Sequence, residues 1–105
     1  MASVETPTIL HLVLIAGRKQ KDKLLAALAG HGGHIINVYY GTGAAKTSYL
    51  TETLGLVHEE QKVLISCLAS KTEADAIFGM LLTEFRFDKP NTGVAYSIPV
   101  EKLSY

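Results

Sequence analysis

Cysteine is nearly missing from this chain of 105 residues, and so is any net charge. The single thiol, Cys67, excludes an intrachain disulfide and suits a reducing compartment. It sits inside the apolar stretch Lys62-Val63-Leu64-Ile65-Ser66-Cys67-Leu68, where a buried, inert thiol is expected rather than a nucleophile. Ten basic residues cancel ten acidic ones. Such a balance offers no general grip on nucleic acid, which calls for a basic surface. Long hydrophobic runs are lacking too. The stretch Ile9 to Ala16 is interrupted by His11 and is far too short to span a bilayer. Met1 to Glu5 lacks the basic region of a secretory signal, so a cytoplasmic protein is expected.

What is present is a compact pattern of alternating elements. The length fits a single domain, residues 1–105, and 48% hydrophobic residues can fill one core. Residues 1–7 read as a flexible lead-in. Thr8 to Ile15, apolar on both faces except at His11, reads as a central strand. A basic turn follows, then a helix over Gln20 to Ala29 with Leu24, Leu25 and Leu28 inward. The glycines around His31 stop it. His31 and His34 lack a nearby cysteine or carboxylate in sequence, so a helix stop is expected there and no metal site.

His34 to Tyr40 reads as a second strand, with Ile36, Val38 and Tyr40 on one face. Residues 41–61 form a connection too long for an ordinary hairpin, which marks it as functional. Lys62 to Leu68 reads as a third strand. A second helix carries the inward stripe Ala74, Ile77, Phe78, Leu81, Leu82 and Phe85. Gly93 to Val100 reads as a fourth strand with Val94, Tyr96 and Ile98 on one face, and Pro99 suits an edge. The order β-α-β-β-α-β predicts an α+β, ferredoxin-like sandwich: an antiparallel four-stranded sheet with two helices on one face. The other sheet face is apolar as well, and one chain has no third layer to cover it. Self-association answers that need.

Two glycine-centred stretches stand where strands meet loops: Gly41-Thr42-Gly43-Ala44-Ala45-Lys46, and Lys89-Pro90-Asn91-Thr92-Gly93-Val94. Backbone without side-chain cover lets loop N–H groups converge on an anion, phosphate above all. Together with Leu54-Gly55-Leu56 and Tyr96-Ser97-Ile98-Pro99, these stretches resemble a divergent, short-loop branch of the P-II signalling proteins, over about residues 8 to 102. The resemblance implies a homotrimer with a cleft between neighbouring subunits. It implies an adenine nucleotide there (AMP, ADP or ATP), with no cofactor required. The residues carried over are Gly41, Thr42, Gly43, Lys89, Asn91, Thr92 and Gly93.

It also implies that the long connection, the counterpart of the family's T-loop, engages a partner, either a membrane transporter or an enzyme. Lys46, Tyr49, Leu50, Leu54 and Leu56 are the candidate contacts. The chain departs from the family at Ala44 and Ala45, where Arg and Gln are usual, and at Val94, where Lys is usual. The family's C-terminal Arg-x-Arg has no counterpart here. Tyr49 therefore inherits no modification, and a smaller adenine ligand is as well supported as ATP with 2-oxoglutarate. No catalytic residues are assigned. His58-Glu59-Glu60 reads as solvated surface, and the chain is not expected to be an enzyme. The alternative to a sensor is a ligand-independent interaction subunit anchored through Leu50, Leu54 and Leu56. On the sensing reading, valine at Gly43 or Gly93 is expected to weaken ligand binding and leave the assembly intact.

Overall fold

A computed structural model describes residues 8–42, 61–89 and 92–104. The elements run β1 (Ile9–Gly17), a short 3-10 turn (Arg18–Gln20), α1 (Lys21–Gly30), β2 (His34–Thr42), β3 (Gln61–Ser70), α2 (Lys71–Thr83) and β4 (Gly93–Pro99). The strands form one sheet in the order β2-β3-β1-β4, and every neighbouring pair is antiparallel. This is the expected ferredoxin-like sandwich. β1 is central, and β4, which ends on Pro99, is an edge, where a residue without an N–H is tolerated.

Side-chain alternation along the strands divides the sheet. Leu12, Leu14 and Ala16 of β1 pair in register with Cys67, Ile65 and Val63 of β3. With Ala69 they pack against Leu24 and Leu28 of α1 and Ala74, Ile77, Met80 and Leu81 of α2. Both helices therefore cover one face. The α2 stripe lies slightly differently from its expected position. Leu82 is 46% exposed and Met80 takes the buried place, because Ala74, Ile77 and Leu81 set the inward line and Leu82 falls beyond its edge. Cys67 is buried as expected, and desolvation pushes its thiol pKa up.

The helix ends have local causes. At α1, Gly33 N–H donates to the Leu28 carbonyl at 2.8 Å, and Gly32 N–H to that of Ala29 at 3.5 Å. Gly32 sits at φ 91°, a left-handed position that closes the helix at low cost only for glycine. α2 opens with a capping box. Glu73 N–H donates to Ser70 Oγ at 3.2 Å, and Ser70 N–H to Glu73 Oε1 at 2.9 Å. β2 carries a bulge between His34 and Asn37, with Ile35 at φ 51° and its side chain exposed.

Among the described residues no helix lies on the second sheet face. In register across β3, β1 and β4 it presents Leu64, Ile15 and Val94, then Ser66, Val13 and Tyr96, then Leu68, His11 and Ile98. Tyr39 of β2 pairs with Leu64 at one side. Tyr39, Tyr96 and Ile98 are each close to half exposed. His11 lies half-buried in the middle of this surface.

Candidate functional site

β2 reaches Thr42 and β3 starts at Gln61, so the long connection spans residues 43–60 and begins from paired strand ends. Gly41 pairs with Lys62, Lys62 with Gly17, and Ala16 with Gly93. The two glycine stretches thus reach the same end of the sheet, as one site requires. They lie on opposite edges, however, with β3 and β1 between them. Three steps of about 4.8 Å put Gly41 and Gly93 roughly 14 Å apart in one chain. That is too wide for one phosphate group to touch both.

Each expected residue has its own setting. Gly41 is exposed, and a Cβ there would meet nothing within 4 Å. Gly93 differs, since a Cβ would run into the Phe87 ring. The missing side chain at Gly93 is therefore already required by packing within the chain. The Thr92 hydroxyl lies 2.6 Å from the Arg86 carbonyl and 2.8 Å from that of Lys89, closing the turn before β4 on itself. Arg86 adopts φ 57° at the base of that turn, and Lys89 N–H donates to its carbonyl at 2.9 Å. The Arg86 guanidinium is paired with Asp88 at 3.4 Å, and Lys89 is exposed. Thr42 closes β2. Gly43, Asn91 and the connection residues Lys46, Tyr49, Leu50, Leu54 and Leu56 lie outside the described residues.

The residues that join this end of the sheet belong to the turn after β1. Arg18 donates from Nη2 to the Gly41 carbonyl at 3.5 Å. It also donates from Nη1 to Gln61 Oε1 at 3.4 Å and from Nε to the Lys62 carbonyl at 3.3 Å. Its guanidinium stands 5.0 Å from the centre of the Tyr40 ring. Lys21 Nζ stands 5.7 Å from the same centre. The Tyr40 hydroxyl, and after it Asp22 at 3.4 Å, hold the Lys21 ammonium pKa above its ordinary value. On the other side, Gln20 Nε2 donates to the Thr92 carbonyl at 3.3 Å. One short turn thus touches both glycine stretches. The sequence offered a signal, a basic turn directly after the central strand. Its significance depends on contacts more than twenty residues apart.

The two histidines are separated in role. His31 Nδ1 lies 2.9 Å from the Ala27 carbonyl, and His34 Nε2 lies 3.5 Å from Glu73 Oε2. Among the described residues, no cluster of three metal-ligating side chains occurs, and no helix is long and apolar enough to cross a membrane.

The four-stranded split-βαβ sheet is a ferredoxin-like fold, and solved structures of PII-like signalling proteins share it. A PII-like signalling protein of Thermus thermophilus superposes with a TM-score of 0.67 at 16% identity, over 90% of this chain and 88% of its own. The structure of CPII from Thiomonas intermedia bound to ADP, AMP and acetate gives a TM-score of 0.68 at 13% identity, over 94% of each chain. A Bacillus cereus protein related to NIF3 gives 0.69 at 12% identity, over 96% of this chain and 27% of its own. No family model and no curated protein matches the sequence. The likeness is one of fold.

Proposed function

We propose that this chain is a regulatory sensor that works as a homotrimer and takes an adenine nucleotide or similar ligand at clefts between subunits. The observation that carries the reading is the separation of Gly41 and Gly93. Both are at one sheet end, yet they sit on opposite edges, so a single chain leaves each half of the site open. A neighbouring copy supplies the missing half. The apolar sheet face that no described helix covers, with Tyr39, Tyr96 and Ile98 about half exposed, gives the reason for such a neighbour. The ligand class is supported by the CPII structure, which holds ADP and AMP on the same fold.

In this reading Gly41, Thr42, Gly43, Asn91, Thr92 and Gly93 present backbone to the ligand, and Lys89 supplies charge. The connection, with Lys46, Tyr49, Leu50, Leu54 and Leu56, passes occupancy to a partner, a membrane transporter or an enzyme. The protein itself is not an enzyme and needs no cofactor. Calorimetry with AMP, ADP and ATP on protein of verified trimeric mass tests the reading. Saturable binding at one site per subunit is expected. A folded trimer that binds none of the three at millimolar concentration leaves only a structural subunit.

A further inference from the structure

Arg18 stands at the same sheet end, and what is assigned to it rests on the sensing reading above. Arg18 as a residue is half-buried there, and its three hydrogen-bond partners among the described residues are all neutral: two main-chain carbonyls and an amide oxygen. All three contacts are long, 3.3 to 3.5 Å, where a charged donor normally reaches about 2.7–2.9 Å with an anionic acceptor. Among the described residues no carboxylate forms an ion pair with it. Lys21 stands over the same tyrosine ring, so two cations share one corner. The corner holds one carboxylate among the described residues, the exposed Asp22, and that is engaged by Lys21. Arginine stays charged at any working pH.

We infer that Arg18 is the residue that reads the ligand's phosphate, giving up for it the acceptors it holds at the ends of β2 and β3. The acceptors it holds belong to both strand ends, Gly41 on one side and Gln61 and Lys62 on the other. A phosphate oxygen is a better acceptor than a carbonyl for a planar two-pronged donor. An anion arriving beside Gly41 therefore draws the guanidinium away from the strand ends. Occupancy and the tie between β2 and β3 then depend on one side chain, which is how a site can bias the segment it borders. Tyr40 gives the guanidinium a face to lie on in either position.

The test compares wild type with Arg18→Ala and Arg18→Lys. Ligand-free trimer mass and melting temperature are checked first, so that a folding defect is recognised. ADP and adenosine are the probes, and amide hydrogen exchange is read at residues 41, 42, 61 and 62. Arg18→Ala is expected to weaken ADP at least tenfold and adenosine hardly at all. It should also speed exchange at these strand ends in the free protein, to a level that ADP no longer changes. Arg18→Lys keeps the charge and loses the fork. It should retain part of the ADP affinity while showing the faster exchange. If wild type binds ADP and Arg18→Ala binds it equally well, the proposal falls and the sensing reading stands. Weakened ADP binding with strand-end exchange unchanged also overturns it, and so does an equal loss of adenosine. If wild type binds no adenine nucleotide, both fall together.

Discussion

Gly41 and Gly93 look alike in the sequence and are unlike in the structure. At Gly41 a side chain has open space around it. Valine there should leave folding within about 0.5 kcal/mol of wild type, as is usual at an exposed site. If nucleotide backbone contacts occur at this strand end, Gly41→Val should still weaken ADP by about tenfold or more, a loss of about 1.4 kcal/mol. Calorimetry alongside a thermal melt separates the two effects. Gly93 cannot serve as the same probe. Any Cβ at that position collides with the Phe87 ring, which packs against the core and meets Phe85 edge-on at 6.4 Å. Overpacking of this kind costs about 1–3 kcal/mol. Gly93→Val is therefore expected to melt earlier whether or not a ligand exists, so weaker ADP binding by it does not by itself report on the ligand site. Normal ADP binding by a stable Gly41→Val would show that the first glycine stretch is only a strand end.

Among the elements, α2 has the clearest chemical start, and it makes a prediction that does not depend on function. Ser70→Ala removes the cap that accepts Glu73 N–H, at a cost of about 1 kcal/mol. A melting-point drop of about 4–8 °C is the expected reading for a domain of this size. Glu73 adds a pH dependence. Its carboxyl pKa is held below the ordinary value first by the Ser70 N–H, then by the Ser70 hydroxyl, with His34 a smaller influence. A depressed folded pKa means that the stabilisation is present above the unfolded value and is lost as pH falls through the folded one. The advantage of wild type over Glu73→Gln should therefore hold at neutral pH, start to shrink near the ordinary value of 4.5 and vanish only in melts taken below the lowered folded value. An advantage that persists unchanged in acid would remove the charged cap from the account.

The order of elements was legible because each rests on local periodicity: alternation in the strands, and the 74-77-81 spacing in α2. What was not legible was either a single-residue detail or a long-range contact. The Ser70–Glu73 spacing was readable in principle, but the boundary between β3 and α2 has to be known before it means anything. The bulge at Ile35 is set by pairing with β3 and leaves no mark in β2 itself. The tie from Arg18 to Lys62 spans 44 residues. The glycines of the proposed site stand out in the sequence, and the charge proposed for it does not, for that reason.

At the scale of the whole molecule, the sheet face that no described helix covers decides whether the proposed site can form. Ile98, 49% exposed, and Tyr96, 44% exposed, stand on that face beside half-buried Leu68, Ile15 and His11. Covering the exposed half of a side chain such as that of Ile98 contributes about 1 kcal/mol. A row of them supplies a driving force that a lone chain leaves unused. Tyr96→Glu discriminates sharply. In a monomer the carboxylate sits in water at the sheet surface and changes little. Between packed sheets it becomes a buried, unpaired charge, which costs several kcal/mol and cannot be borne by each subunit of a closed ring. Leu82→Glu is the matching control, since Leu82 is 46% exposed on the helix layer, away from the open sheet. Light scattering after size exclusion should show a trimer for wild type and Leu82→Glu, and a monomer with a near-native far-ultraviolet spectrum for Tyr96→Glu. ADP binding should disappear with the trimer, because Gly41 and Gly93 in one chain stay roughly three strand spacings apart. A monomeric Tyr96→Glu that still binds ADP would place the whole site within one subunit and take away the reason for a neighbour.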